Sequence, residues 1–493
     1  MSADAAAAGI LRLVAGPAAF LAVLVLEPFD LPHPALFTLA ATVWVALWWI
    51  LEPVPSAVTS LLPLVLLPAG GVRSAAQLAS SYFNDLIALF LGGFILAHAI
   101  ERCGLHRRFA LAVLMRAGTS QRRLCLGFLL VATLISCWIS NTATTLLLLP
   151  IATAVIGRIR QLSGQEERQC EQSILLALAF GATIGGMGTL IGTPANLLIR
   201  NFVEVSFLQW MVAALPLVAL LFCVAAALLV HGLSRESSPA AVAALREESL
   251  AMPAWTRAER LTAGVFLLTV LLWTTRQPIA IGEVVLFGWT RLLPRPEFVQ
   301  DGTVAILAGL LLFVLRVKDS PSQKSRPLIS WREAERSLPW GILLLFGGGI
   351  AVGDAFESSG LSKELGQALS RHLTEMSPLL ILFVTILFVT AMSEVASNTA
   401  TASILLPIFA ALAPGMGVEK LALLMPVVLA ASLGFMLPVA TGPNAVVYAT
   451  SRVPLRVLLR KGMLLDVAGV VVIALYMRVV GFRLLGVRWE ASD

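Results

Sequence analysis

The sequence predicts an all-α polytopic membrane protein made of two inverted-topology repeats, with about 11 transmembrane helices and two re-entrant hairpins. Three observations predict this fold class. The 493 residues are 58% hydrophobic and only 13% charged, with a mean hydropathy of +0.88. Apolar tracts long enough to cross a bilayer recur along the chain. A polar motif also interrupts two of these tracts at matched positions. This composition excludes a soluble enzyme.

The predicted elements follow from hydropathy in chain order. Eleven spanning helices are expected, at 10–27, 34–51, 56–71, 83–101, 174–199, 207–231, 261–275, 301–315, 339–356, 421–449 and 463–480. An amphipathic run covers 105–115, and charged connectors are expected at 232–259 and 317–338. The tract from Arg123 to Arg158 is too long for one spanning helix and short for two, which predicts a re-entrant hairpin. A second hairpin is expected between Pro378 and Pro414.

The chain contains an internal duplication. Ser140–Ile151 and Ser397–Ile408 agree at nine of twelve positions, at an offset of 257 residues. Two further pairs keep the same order along the chain, Leu89–Gly93 with Leu345–Gly349 and Gly192–Asn196 with Ala440–Asn444, at offsets of 256 and 248 residues. The last pair lies in glycine- and proline-containing segments that predict discontinuous helices. Paired breaks of this kind are typical of secondary transporters.

The basic residues predict the topology. If each hairpin enters and leaves on one side, 24 of the 35 Lys and Arg side chains collect on a single side of the bilayer. The positive-inside rule makes that side cytoplasmic. The first hairpin is then expected to open to the cytoplasm and the second to the outside, with a cytoplasmic N-terminus and an external C-terminus. Topology thus accounts for the basic pI near 9.4 without a nucleic-acid partner.

The motif chemistry favours small ions. A hairpin tip in hydrocarbon leaves helix N-terminal amides and C-terminal carbonyls without partners, and these attract an anion and a cation respectively. Ser, Asn and Thr add neutral oxygen ligands, which suit a hard monovalent cation beside a carboxylate or sulfate. Neither hairpin contains Arg or Lys between its flanking basic residues, so a bound Na⁺ is the natural counter-charge. Two alternatives remain: the motifs are ordinary helix caps, or Glu394 carries a proton.

On the paired Ser-Asn-Thr motifs and Thr-x-Pro-x-Asn-like breaks, the whole chain resembles the divalent anion/sodium symporter family, whose members carry di- and tricarboxylates or sulfate. The resemblance implies a homodimer with an elevator mechanism. It implies scaffold segments at 1–122 and 233–376, and transport-domain segments at 123–232 and 377–493. Each transport segment holds a hairpin, a broken helix and the helix that follows.

The resemblance also implies site residues. A first sodium site matches Ser136, Ser140, Asn141 and Gly192, and a second matches Ser393, Ala396, Asn398 and Ala440. Substrate carboxylates are expected at both motifs and at the nearby breaks, on Ser140, Asn141, Thr142, Thr193, Ser397, Asn398, Thr399, Thr441 and Pro443. Gly442 departs from the family pattern, where bacterial members often have a proline.

The expected function is sodium-coupled uptake of C4 dicarboxylates such as succinate, malate and fumarate across a bacterial inner membrane. Three alternatives stay open at this point: a dicarboxylate exchanger without net sodium coupling, a sulfate or tricarboxylate transporter, and an anion channel. An enzyme is not expected, because no nucleophile, base and orienting group share a segment and no metal motif is present.

Overall fold

The computed structural model describes residues 3–27, 30–118, 120–163, 168–236, 239–250, 252–281, 284–318, 324–365 and 377–487, and it is mostly helical. In the first half the helices are α1 Ala3–Leu26, α2 His33–Leu51, α3 Ser56–Thr59, α4 Leu62–Ala69, α5 Ala75–Ser81, α6 Asp85–Cys103, α7 Leu105–Ala117, α8 Gln121–Ser136, α9 Asn141–Ser163, α10 Arg168–Gly186, α11 Pro194–Leu198 and α12 Phe207–Val230.

The second half continues with α13 Pro239–Leu250, α14 Arg257–Thr274, α15 Asp301–Val314, α16 Trp331–Ser337, α17 Trp340–Ser358, α18 Pro378–Val395, α19 Asn398–Gly415, α20 Lys420–Ala431, α21 Gly442–Ala449, α22 Leu455–Tyr476 and α23 Phe482–Leu485. A π-helical turn, Met477–Gly481, joins the last two. A helix lies at every predicted membrane position, although boundaries differ: α22 begins eight residues before the predicted start at 463.

The strictly all-α prediction is wrong in two connectors. Ile279–Ile281 pairs with Val284–Leu286, and Arg316–Val317 pairs with Arg326–Pro327, each as an antiparallel two-stranded ribbon. The first ribbon is rich in β-branched residues, which favour strand pairing over helix. The predicted connectors at 232–259 and 317–338 also contain α13 and α16. Their residues 237–238, 251 and 319–323 lie outside the described ranges.

The helices have the length and surface of membrane segments. Within the described residues, eight helices are long and apolar enough to cross a bilayer, and four shorter apolar helices accompany them. Large apolar side chains point outward from several of them, such as Leu11 at 73% and Leu267 at 64% exposure. The predicted third helix, at 56–71, is divided into α3 and α4 at Ser60 and Leu61. A lipid-facing surface explains these exposed residues, since water would disfavour them.

One end of the molecule carries the basic segments, and we call it the basic face. Hydrogen bonds and ion pairs between segments far apart in sequence join it together. They connect Arg102 with Leu328 and Glu333, Arg107 with Glu248, Arg122 with Leu233, Gln169 with His231, and Arg452 with Glu171. The basic segments that the topology prediction assigned to one side therefore lie together in space.

The other end, the opposite face, has a buried charge network. Asp301 begins α15 and is fully buried. Its carboxylate pairs with Arg276 at 2.6 Å and with Arg200 at 3.1 Å, and Arg200 also lies 3.6 Å from Asp85. Arg200 follows α11, whereas the other three residues belong to α6, α14 and α15 or their ends. The network thus ties the first broken helix to the helices beside it.

These two faces give the direction of each helix. α6 starts at Asp85 on the opposite face and ends near Arg102 on the basic face. α17 instead has Asp354 near its C-terminal end, and this residue pairs with Arg73 on the opposite face. The broken helices also differ: α10–α11 leads from the basic face to Arg200, and α20–α21 leads from Lys420, paired with Glu357, back to the basic face. Relative to the two faces, α6 and α17 therefore point in opposite directions, and so do the two broken helices.

Glycines in α10 have a different role from the one the sequence suggested. The glycine-rich stretch predicted a break, but Gly181 and Gly185 lie within regular helix. A Cβ at Gly181 would lie 2.7 Å from the Leu129 carbonyl oxygen, and one at Gly185 would overlap the Thr133 backbone. Both glycines therefore let α10 pack closely on α8. The break itself comes later, between Gly186 and Pro194.

Replacement of Asp301 by Ala tests the network on the opposite face. The change leaves Arg276 with a buried, uncompensated charge and Arg200 with Asp85 alone, so we expect a loss of about 3–5 kcal/mol in stability. Thermal unfolding of the detergent-purified protein measures it. Glu357→Ala is the control, because its exposed pair with Lys420 contributes no more than about 1 kcal/mol. Equal melting temperatures for the two variants would contradict a structural role for Asp301.

Candidate functional site

Both Ser-Asn-Thr motifs lie where one helix ends and the next begins, α8 and α9 in the first repeat and α18 and α19 in the second. The motif serines cap the second helix of each hairpin. Ser140 Oγ accepts a hydrogen bond from Ala143 N at 3.4 Å, and Ser397 Oγ accepts one from Ala400 N at 3.3 Å. The capping alternative is thus correct for these serines. Capping uses only the acceptor capacity of the hydroxyl, so each O–H can still donate to a ligand.

Two asparagines bridge the interruptions in the broken helices. Asn196 and Asn444 are fully buried, and each follows a Thr-containing break. Each Nδ2 donates to two carbonyl oxygens of its gap at 2.7–3.1 Å, those of Gly186 and Thr189 in the first repeat and those of Gly434 and Leu437 in the second. These donors and acceptors correspond at the 248-residue offset of the repeat. Sequence reasoning paired the two asparagines but did not place them in the site.

An oxygen cluster lies at the first hairpin tip. One terminal atom of the Asn141 amide lies 2.8 Å from Ser136 Oγ and 3.2 Å from the carbonyl oxygens of Ala182 and Gly192. With its nitrogen turned inward, Asn141 donates to these oxygens. With its oxygen inward, four oxygens converge and too few protons are available to pair them. Neutral oxygens gathered in this way are the ligands that a hard cation prefers.

The second hairpin repeats this arrangement. Ser393 Oγ lies 3.0 Å from Asn398 Oδ1 and 2.6 Å from the Ala431 carbonyl oxygen. The Ser393 hydroxyl has one proton, so it can donate to only one of them at a time. Asn398 Oδ1 also faces Gly434, beside Ala440. Each repeat therefore gathers neutral oxygen atoms at its own hairpin tip.

The predicted site residues differ in burial. The predicted cation ligands outside the first motif are buried, namely Ser136, Gly192, Ser393, Ala396, Asn398 and Ala440. Among the predicted substrate ligands, Thr142 and Ser397 are exposed, and Ser140, Asn141 and Thr399 are partly exposed. Thr193, Thr441 and Pro443 are buried instead, at the starts of α11 and α21. The motif hydroxyls are thus more exposed than the predicted ligands at the starts of α11 and α21.

The structure packs the first motif on the break of the second repeat, and the helix after the second motif on the helix after the first break. A Cβ on Gly442 would overlap Thr142 Oγ1, so the first motif packs directly on the second break. In the reciprocal contact, α19 packs on α11, and Gly349 of α17 lies beside both Ser403 and Leu198. The departure at Gly442 therefore has a steric reason, because only glycine leaves room for the Thr142 side chain.

The electrostatics of the site come from helix ends. α9, α19 and α21 all begin here and direct partial positive charge toward it, whereas α8, α10, α18 and α20 end here and supply carbonyl oxygens. Within the described ranges, no group of three or more His, Cys, Asp and Glu side chains is gathered in a metal-binding arrangement. The arrangement can hold an anion at amides and hydroxyls and hard cations at neutral oxygens.

Helix ends and uncharged polar groups gathered inside a bundle of apolar helices define a polytopic membrane transporter. Residues 8–487 match the family model described as sodium:sulfate symporter transmembrane region. The chain belongs to this family, which confirms the resemblance to divalent anion/sodium symporters.

Characterised relatives match over nearly the full length. The chain is 37% identical over 481 residues to the sodium-dependent dicarboxylate transporter SdcS of Staphylococcus saprophyticus, covering 94% of this chain and 90% of that protein. It is 37% identical over 493 residues to SdcS of Staphylococcus aureus, covering 97% and 92%.

Solved structures show the same overall fold at low sequence identity. The Alcanivorax borkumensis YdaH transporter aligns with a TM-score of 0.57 and 14% identity, covering 94% of this chain and all of that one. Neisseria gonorrhoeae MtrF aligns with a TM-score of 0.57 and 12% identity, covering 92% and 96%.

Gly442→Ala tests the contact between the repeats. The added methyl group overlaps Thr142, so we expect a loss of about 1–3 kcal/mol in stability, measured as a lower melting temperature. Adding Thr142→Ala to Gly442→Ala removes the overlap and should restore most of the loss. Gly309→Ala is the control, since its Cβ would meet only Ile95 at 3.5 Å. An unchanged melting temperature in Gly442→Ala would refute the contact.

Proposed function

We propose that the protein is a secondary active transporter that takes up C4 dicarboxylates such as succinate, malate and fumarate together with Na⁺. The observation that carries this proposal is the direct contact between the first motif and the second break, at Thr142 and Gly442, with an oxygen cluster at each hairpin tip. The family and the name of the SdcS relatives support both the ion and the substrate class.

Charge balance explains the coupling. A C4 dicarboxylate brings two negative charges into an apolar bundle, and no Lys or Arg lies within either hairpin between residues 123 and 158 or 371 and 420. Like charges held without counter-charge at low dielectric are costly. Two sodium ions beside the anion neutralise it, and helix N-termini add partial positive charge. Binding of substrate therefore depends on prior or simultaneous binding of Na⁺.

The predicted ligands keep their assigned roles in this proposal. The first ion is held by Ser136, Ser140, Asn141 and Gly192, and the second by Ser393, Ala396, Asn398 and Ala440. The substrate carboxylates are bound by Ser140, Asn141, Thr142, Ser397, Asn398 and Thr399, with Thr193, Thr441 and Pro443 alongside. With its oxygen turned inward, the Asn141 amide joins Ser136 and Gly192 around the first ion.

The proposed architecture has two inverted repeats, eleven spanning helices and two re-entrant hairpins, in a bacterial inner membrane. Opposite directions of α6 and α17, and of the two broken helices, support the inversion. The first hairpin begins at Arg122 on the basic face, which supports a cytoplasmic opening. The N-terminus is then cytoplasmic and the C-terminus external.

We further propose an elevator mechanism in a homodimer. Residues 1–122 and 233–376 form the scaffold, and residues 123–232 and 377–493 form the transport domain. Packing supports this division: α10 lies against α8 and α21, and α12 against α22, whereas α6 and α14 pack on α15. The site lies within one group of helices, so that group can carry ions and substrate together.

Uptake into proteoliposomes tests the function. With an inward sodium gradient we expect saturable accumulation of labelled succinate, abolished when choline replaces sodium and independent of internal dicarboxylate. Uptake that requires preloaded dicarboxylate and ignores the sodium gradient would identify an exchanger. Preference for labelled sulfate or citrate over succinate would change the substrate class. Flux that neither saturates nor concentrates solute would identify a channel.

Asn141→Ala and Asn398→Ala test the site. Each removes an amide shared by a proposed ion site and the substrate, so we expect sodium-stimulated succinate uptake to fall to background in both. Asn201→Ala is the matched control, because this asparagine ends the short 3₁₀ turn after α11, outside the proposed ligand sets. Uptake close to wild type in Asn141→Ala and Asn398→Ala would refute the assignment.

A further inference from the structure

Carboxyl groups fix the backbone of the second break. Met436 N and Leu437 N each donate to one carboxyl oxygen of Glu394, both at 2.9 Å. Phe435 N donates to Asp466 Oδ2 at 3.2 Å. Glu394 and Asp466 are 3% and 4% exposed. Three successive amides of the segment between α20 and α21 thus have fixed directions, although this segment is neither helix nor strand.

The first repeat joins the same two positions with different groups. Glu394 corresponds to Cys137 at the motif offset of 257 residues, and Leu437 corresponds to Thr189 at the break offset of 248. Thr189 Oγ1 donates a hydrogen bond to the Cys137 carbonyl oxygen. Each hairpin tip is therefore tied to the break in its own repeat. The break residue donates in both repeats, through its backbone N–H in the second and through its side-chain hydroxyl in the first. The shared connection explains why Glu394 has no acidic counterpart in the first repeat, and the explanation requires no proton transfer by Glu394.

The hydrogen bond between Glu394 and Leu437 N lies beside the second oxygen cluster, and both of its residues are connected to that cluster. Glu394 directly follows Ser393, whose hydroxyl contacts Asn398 Oδ1. At the other end, Leu437 O accepts hydrogen bonds from Asn444 Nδ2 at 3.1 Å and from Ala440 N at 3.2 Å. Because both polar backbone atoms of Leu437 are held, the turn that leads to the Ala440 carbonyl has one shape.

We propose that Glu394 is a positioning residue for the second cation site. Its carboxylate holds the break so that the Ala440 carbonyl and the Asn398 side chain face the same ion. Both carboxyl oxygens accept amide hydrogen bonds, so Glu394 acts through the backbone. This inference rests on the proposed sodium-coupled function, and it goes beyond it by assigning a role to an acid outside both proposed ligand sets.

Glu394→Gln tests the role, because it replaces one acceptor oxygen by an NH₂ group that opposes the N–H of Met436 or Leu437. We expect the sodium concentration for half-maximal succinate uptake to rise about tenfold, as when an outer partner of a metal ligand is lost. The KM for succinate at saturating sodium should change less than about twofold. Glu394→Asp keeps two acceptor oxygens and should raise the half-maximal sodium concentration by a smaller factor.

Glu259→Gln is the matched control. Glu259 is also buried, accepts a backbone hydrogen bond from Thr256 N at 2.7 Å and pairs with Arg108, all at the start of α14. It should lower the melting temperature and leave the sodium dependence unchanged.

The outcomes separate two failures. Glu394→Gln could lower the melting temperature while its half-maximal sodium concentration stays equal to that of wild type. In that case Glu394 has a merely structural role and the inference is overturned. If Glu394→Gln does not fold, Glu394→Asp decides by the same comparison. If wild-type uptake does not depend on sodium at all, the proposed function itself fails, and the inference fails with it.

Discussion

A helix that is interrupted inside an apolar bundle leaves peptide groups that cannot reach water, and each such group must find a partner. Asn196 and Asn444 meet this constraint by capturing two carbonyl oxygens each across the gap. Their amides replace the hydrogen bonds that continuous helix would have made. Without these side chains the carbonyl oxygens of Gly186 and Gly434 would lose their asparagine donor, and those of Thr189 and Leu437 would keep only a backbone donor, from Gly192 N and Ala440 N.

With the gaps stabilised, the orientation of the helix termini determines which polar groups face the site. Helix N-termini lie beside helix C-termini, so free amides and free carbonyl groups are close together. Ser and Asn side chains then complete sets of oxygen atoms that share too few protons, as at Ser393, Asn398 and Ala431. In the proposed site, the groups that bind cation and anion therefore come mainly from the ends of helices, and short neutral side chains complete them.

The sequence alone was sufficient for the duplication, the positions of the membrane helices and the two hairpin tips, because hydropathy and repeated polar motifs are local signals. It also placed the basic segments on one side. It could not foresee that Gly181 and Gly185 serve close packing in α10, since a glycine that breaks a helix and one that admits a neighbour look alike in one chain. The partners of Glu394 and the Thr142–Gly442 contact join residues 42 or more positions apart, and no local pattern encodes them.

The pairing of Arg200 with Asp301 has a kinetic consequence. Arg200 terminates the first broken helix, and Asp301 is anchored on α15 by Arg276. In the proposed elevator mechanism, the hairpins slide along α6 and α15, and this movement has to separate the two charges. The contact therefore adds to the activation barrier of this movement, whether the carrier is loaded or empty. It affects the turnover number more than the affinity for solute.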